Sequence, residues 1–129
     1  MRRKRKSSGF AWSKRAHRGF HGYPVATIAF YGPTADLATK VAVGIVRGEN
    51  QEPNPLERWY SQDVDLRFDR AVGEQVLAFL QEHGARSVIA TDGIIGCPHE
   101  EGIDYPEGKP CPQCPYWAGR DRFTHERIH

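Results

Sequence analysis

All three cysteines of this chain lie between positions 97 and 114, in the runs Cys97-Pro98-His99 and Cys111-Pro112-Gln113-Cys114. An odd, clustered set does not make a disulfide framework and reads first as a metal site. Zinc is borderline-soft and takes thiolate and imidazole ligands in a tetrahedron. A Cys-x-x-Cys turn puts two sulfurs on one side of such a site. Pro98, Pro110, Pro112 and Pro115 stiffen the segment, which lowers the entropy lost on ordering it. Eleven residues separate His99 from Cys111, enough to close a loop around one ion. We therefore assign Cys97, His99, Cys111 and Cys114 as ligands of one zinc ion. Four protein ligands leave no open position, which marks a structural site. Cys-x-His is tighter than the usual spacing, so His125 and His129 are the alternatives to His99. The competing reading is three buried, reduced cysteines beside a surface His99.

The same letters admit an enzymatic reading. His99-Glu100-Glu101 followed by Pro110-Cys111-Pro112-Gln113-Cys114 matches the zinc deaminase signature, H-x-E … P-C-x-x-C. There, three ligands hold zinc, water takes the fourth place and Glu101 moves protons. Deaminases put a helix and a strand between the two halves, and residues 102–110 are too few for both. Cys97 would also compete with the water.

The rest of the chain reads as a small α/β domain. Val25 to Tyr31 (VATIAFY) is β-branched and aromatic, a strand, and Gly32-Pro33 breaks it. Thr34 to Lys40 is a helical turn or a wide loop. Val41 to Val46 is a second strand, preferred over one helix across 34–46 because β-branched residues dominate it. Leu56 to Ser61 is an edge strand after a proline-containing loop. Asp69 to His83 is a helix: Asp69 is an N-cap, Val72, Val76, Phe79 and Leu80 share one face, and Gly84 stands where a C′ glycine belongs. Ser87 to Thr91 is a buried strand, and Asp92-Gly93 at its end is either a turn or a functional position of the kind α/β folds place at strand ends.

The predicted order is strand, strand, strand, helix, strand: an α/β fold with a small mixed sheet and a trailing zinc-binding loop, 97–114. The first part of a ribonuclease-H-like fold has this order. Nucleases of that fold hold metal with strand carboxylates, and the first strand here has none. Trp59 and Tyr60 are expected to pack on the sheet, and Tyr116 and Trp117 to cover the zinc site. Glu100, Glu101 and Asp104 read as solvated loop acids.

Charge divides the chain. Residues 1–35 hold eight cations (Arg2, Arg3, Lys4, Arg5, Lys6, Lys14, Arg15, Arg18) and no acid, for +8. Residues 36–129 hold ten basic and sixteen acidic residues, for −6, and the two parts sum to the net +2. A basic arm on an acidic body points to an anionic partner, RNA or DNA first. Phe10, Trp12 and Phe20 interleave with the cations and could stack on bases. Residues 1–22 show no period and read as a flexible arm; residues 23–129 read as one domain. A solubilising tail is the plainer alternative. No apolar run approaches the roughly 20 residues that span a bilayer, and no apolar region follows the basic start as in a secretory signal. The expected location is cytoplasmic.

The segment TDGIIGCPHEEGIDYPEGKPCPQCPYWAGRDRF (residues 91–123) resembles a family of small bacterial proteins of uncharacterised function. The likeness extends back to HGYPVATIAFYGP (21–33). It implies a single bacterial cytosolic domain and brings no activity, partner or catalytic residue with it. Three functions follow from the residues: a non-catalytic zinc-braced domain whose arm contacts nucleic acid, a small deaminase-like zinc hydrolase, or an adaptor that binds protein through its acidic body. The closed ligand count favours a non-enzyme, and the eight arm cations favour nucleic acid over a protein partner.

Overall fold

A run of β-branched and aromatic residues spaced by alanines makes Val25–Tyr31 the first strand, β1, of the computed structural model, which describes residues 19–120. The arm cations Arg2 to Arg18, with Phe10 and Trp12, lie outside the described residues, as do His125 and His129. β2 (Lys40–Val46) and β3 (Leu56–Tyr60) follow, then α1 (Arg70–Glu82) and β4 (Ser87–Ile94). A short 3-10 turn, Pro115–Trp117, comes last. β1 pairs antiparallel with β2, β2 antiparallel with β3, and β4 parallel with β1, so the sheet order is β3-β2-β1-β4. This is the α/β arrangement expected from the sequence, including a strand rather than a long helix at 41–46, which begins one residue earlier than expected, at Lys40.

One face of the sheet carries the core. Ala26, Ile28 and Phe30 of β1 meet Val41, Val43 and Ile45 of β2 and Val88, Ala90 and Ile94 of β4, all buried. Residues two apart on a strand share a face, which is why these alternate positions are apolar. Val76 and Leu80 of α1 close the layer, with Val72 and Phe79 against it. Trp59 projects to this side, stacks edge-on with Phe79 at 6.0 Å between centroids, and donates from Nε1 to Gln75 Oε1 at 2.9 Å. Tyr60, its neighbour, faces the other way and is 61% exposed, so only one of the pair packs as expected.

Both ends of α1 are specified by sequence. Asp69 Oδ1 accepts from Val72 N at 3.2 Å, satisfying one orphan donor of the first turn. At the other end Gly84 has φ +64°, the left-handed geometry that glycine adopts without penalty. Gly84 N donates to Gln81 O (3.1 Å) and Ala85 N to Leu80 O (3.0 Å), the paired bonds of a Schellman stop.

Two details differ from the expected boundaries. β4 does not stop at Thr91 but continues to Ile94 through an irregularity, with Ile28 opposite Ala90 and Phe30 opposite Ile94. Thr91 Oγ1 supports the bulge by accepting from Phe30 N (3.4 Å) and donating to Gly93 O (2.9 Å). Residues 19–22, read as part of the arm, touch the sheet: Gly19 N donates to Val88 O at 3.0 Å, and the Ser87 hydroxyl donates to Gly22 O at 2.6 Å. No helix among the described residues is long and apolar enough to cross a membrane.

Candidate metal centre

The strand ends deliver the first ligand. Ile95 N donates to Phe30 O (2.9 Å) and Gly32 N to Gly96 O (2.8 Å), so the chain leaving β4 is pinned beside the end of β1. Cys97 is the next residue. Gly32 must be glycine here, because a Cβ would stand 1.8 Å from Leu37 O. The second pair of ligands comes from a tight turn in which Cys114 N donates to Cys111 O at 3.3 Å. Trp117 anchors that turn: its Nε1 donates to Gly32 O at 2.7 Å and its ring packs against the core. Tyr116 stacks edge-on against Trp117 at 5.1 Å, and the Arg120 guanidinium lies 4.3 Å from the Tyr116 ring.

The ligand atoms of Cys97, His99, Cys111 and Cys114 all lie within 4.8 Å of one another. His99 Nδ1 is 3.5 Å from each of the three sulfurs. That spacing tests the fit to a metal. Bonds of about 2.3 Å to sulfur and about 2.05 Å to nitrogen, at a tetrahedral angle, place N and S about 3.5 Å apart. The cluster therefore has the dimensions of a tetrahedral centre that could hold a metal ion. Cys111 and Cys114 are buried and Cys97 half-buried. His99 N also points at Cys97 Sγ (3.2 Å), a backbone dipole that stabilises negative sulfur.

Without a cation, the packing of the cluster favours neutral thiols. Burial, followed by the neighbouring Cys97 and Cys111, pushes the Cys114 thiol up to about 12. Burial is also the largest cause raising the Cys97 thiol. Three sulfurs gathered this closely resist ionising together, and a bound dication reverses that preference.

The acids of the loop have structural partners. Glu101 Oε2 accepts from Gly108 N (2.6 Å), and Asp104 Oδ2 accepts from Glu100 N (2.7 Å). Glu100 Oε2 meets Lys40 Nζ at 3.1 Å and Arg58 Nε at 2.9 Å. Lys40 Nζ also donates to Pro98 O at 3.2 Å, and its side chain is only 5% exposed. Glu101 and Asp104 are exposed, as expected, while their carboxylates tie the loop to itself; the expectation is corrected for Glu100, which is half-buried and joins the loop to the sheet. Sequence reading missed Lys40 and Arg58. The available signal was a lysine opening an otherwise apolar strand, KVAVGIV, where a buried cation needs a partner.

Searches of family models, of curated proteins and of solved structures give no match to this chain.

Proposed function

We propose that the cluster is a structural zinc site and that the chain is a non-catalytic, zinc-braced α/β protein. The observation that carries this is the equal 3.5 Å separation of His99 Nδ1 from three sulfurs. Three thiolates and one imidazole in a tetrahedron suit zinc. All four positions are filled by side chains, so no place remains for a reactive water. The deaminase reading needs Glu101 beside such a water, whereas its carboxylate is committed to Gly108 N. Metal analysis and X-ray absorption of the purified chain should return one equivalent of zinc with three sulfurs and one nitrogen. Stoichiometric zinc retained by the double variant Cys111→Ser/Cys114→Ser refutes the assignment.

We further propose that the arm contacts RNA or DNA. Support comes from the eight cations within residues 2–18 on a body of opposite charge. Phosphate contacts release counterions, so affinity should fall steeply with salt. If half of the cations engage, the log–log slope is about −3. Sequence preference should be weak, since phosphate contacts carry little base information. The comparison is full-length chain against a chain starting at Gly19, which keeps the Gly19 and Ser87 contacts to β4. Absence of binding at low salt, or binding unchanged by the deletion, rejects the arm and leaves the adaptor reading ahead.

A further inference from the structure

The sheet face turned away from α1 carries three cross-strand rows. Register places Tyr31, Lys40 and Tyr60 side by side, then Ala29, Ala42 and Arg58, then Thr27, Gly44 and Leu56. The middle of this face is therefore floored by small side chains between taller ones. At Gly44 the floor must stay low, since a Cβ there would lie 2.6 Å from Pro53 Cβ. The metal loop folds over the first row through Lys40 and Glu100. Between loop and floor lies a cavity of about 430 Å³, walled also by Tyr31, Arg58, His99 and Tyr105. Small-molecule sites span about 300–1,000 Å³.

Charge narrows the class of ligand. Lys40, Arg58, Glu100 and Glu101 all line the cavity, with both cations paired to Glu100 Oε2, and two cations balance two acids. Zinc with three thiolates and a neutral imidazole adds a net −1. An anion therefore gains nothing from the site as a whole, and the Lys40 and Arg58 heads seated on Glu100 Oε2 stand in the way of a cation reaching that carboxylate. A neutral ligand with hydrogen-bonding edges remains. Both cations pair with Oε2 of Glu100, Arg58 through Nε, so the Glu100 carboxylate and the Arg58 guanidinium set an acceptor next to donors in the cavity lining. An acceptor next to a donor fork, above a flat alanine floor with tyrosine rings in the wall, matches a planar heterocycle with donors and acceptors on one edge.

We propose that this cavity receives a nucleobase, either from a free nucleoside or splayed out of a single strand. The proposal uses the metal reading for one wall and is independent of the arm. The test uses the full chain in about 0.5 M salt, where arm–phosphate attraction is screened, with zinc measured in the same sample. Saturation-transfer NMR and calorimetry are run with adenosine, guanosine, cytidine, uridine, ribose and a short single-stranded RNA. At least one nucleoside should bind while ribose does not. Ala42→Phe, which fills the floor, and Arg58→Ala, which removes the donor fork, should each weaken binding about tenfold. An oligonucleotide that binds more tightly than the nucleoside identifies the strand as the source; the reverse identifies the free nucleoside; either supports the pocket. No nucleoside binding at millimolar concentration by zinc-loaded chain overturns it, as does binding that both variants leave unchanged. A chain that binds nucleoside without carrying metal sinks the zinc reading and leaves the pocket standing.

Discussion

Replacing Glu100 with alanine should destabilise the chain more than replacing Lys40 with methionine, and adding the second change to the first should restore stability. The reason is asymmetric burial. The Lys40 side chain is 5% exposed, that of Glu100 30% and that of Arg58 36%. At 3.1 Å and an effective dielectric near 20, the Lys40–Glu100 attraction is about 5 kcal/mol before desolvation. Desolvation consumes much of this, and solvent screens the Arg58 side further. Glu100→Ala leaves the buried ammonium with Pro98 O and the rings of Tyr31 (5.1 Å) and Tyr60 (5.8 Å). Stranding a buried charge costs about 3 kcal/mol. Lys40→Met keeps the apolar stem, and Glu100 retains Arg58 at 2.9 Å, so the loss is about 1 kcal/mol. At about 4 °C per kcal/mol for a domain of this size, the melting points should fall by about 12 °C and 4 °C. The double variant has no stranded cation and should melt above Glu100→Ala alone. The assay is thermal unfolding of the four proteins as a double-mutant cycle. Additive losses, or a larger loss for Lys40→Met, refute a buried Lys40 held by Glu100.

Chelation should lower the melting temperature, because metal affinity is linked to folding, and should release amide protection at 97–117 while β1, β2 and β4 keep theirs; an unchanged melt after complete metal removal rules out a structural site. Gly32→Ala should cost about 3 kcal/mol or more, since the added Cβ meets a backbone oxygen at 1.8 Å rather than a side chain that can move; a melting point within about 2 °C of the parent contradicts the tight turn that pins Gly96.

How much of this was legible depended on how far apart the determining residues lie. α1 was readable because its cap, apolar face and stop are contiguous: Asp69, Val76 and Leu80, and Gly84 all say helix locally. The four residues of the candidate metal cluster were readable because their letters sit within one short segment. β4 was cut short because Thr91-Asp92-Gly93 has the composition of a turn, and only pairing with Phe30 carries the strand on to Ile94. The Lys40–Glu100 clasp was not readable at all. Its partners are 60 positions apart and meet only because β1 brings the start of β2 and the end of β4 to the same end of the sheet. Seen alone, Glu100 is an acid in a polar loop, and burial of its partner is a property of the register.

That geometry also explains why a chain with a real core would use a metal. A sheet has two faces, and a stable domain covers at least one with a second layer. Among the described residues α1 covers one face only, yet β2 is buried on both sides along most of its length. On the far side the cover over Lys40 is the loop running from Cys97 to Tyr105, which has neither helix nor strand of its own. Such a loop buries little apolar surface and is costly to order. A metal ion joining residue 97 to residues 111–114 would supply the missing free energy through four bonds rather than through area. The same ion would hold His99, and therefore Glu100, at the distance where the carboxylate reaches Lys40 and Arg58. Chelation and Glu100→Ala should accordingly loosen the same segment by hydrogen exchange, with the effect of the substitution largely absent from chelated protein. Full additivity of the two treatments would mean that the metal and the clasp act on different parts of the fold.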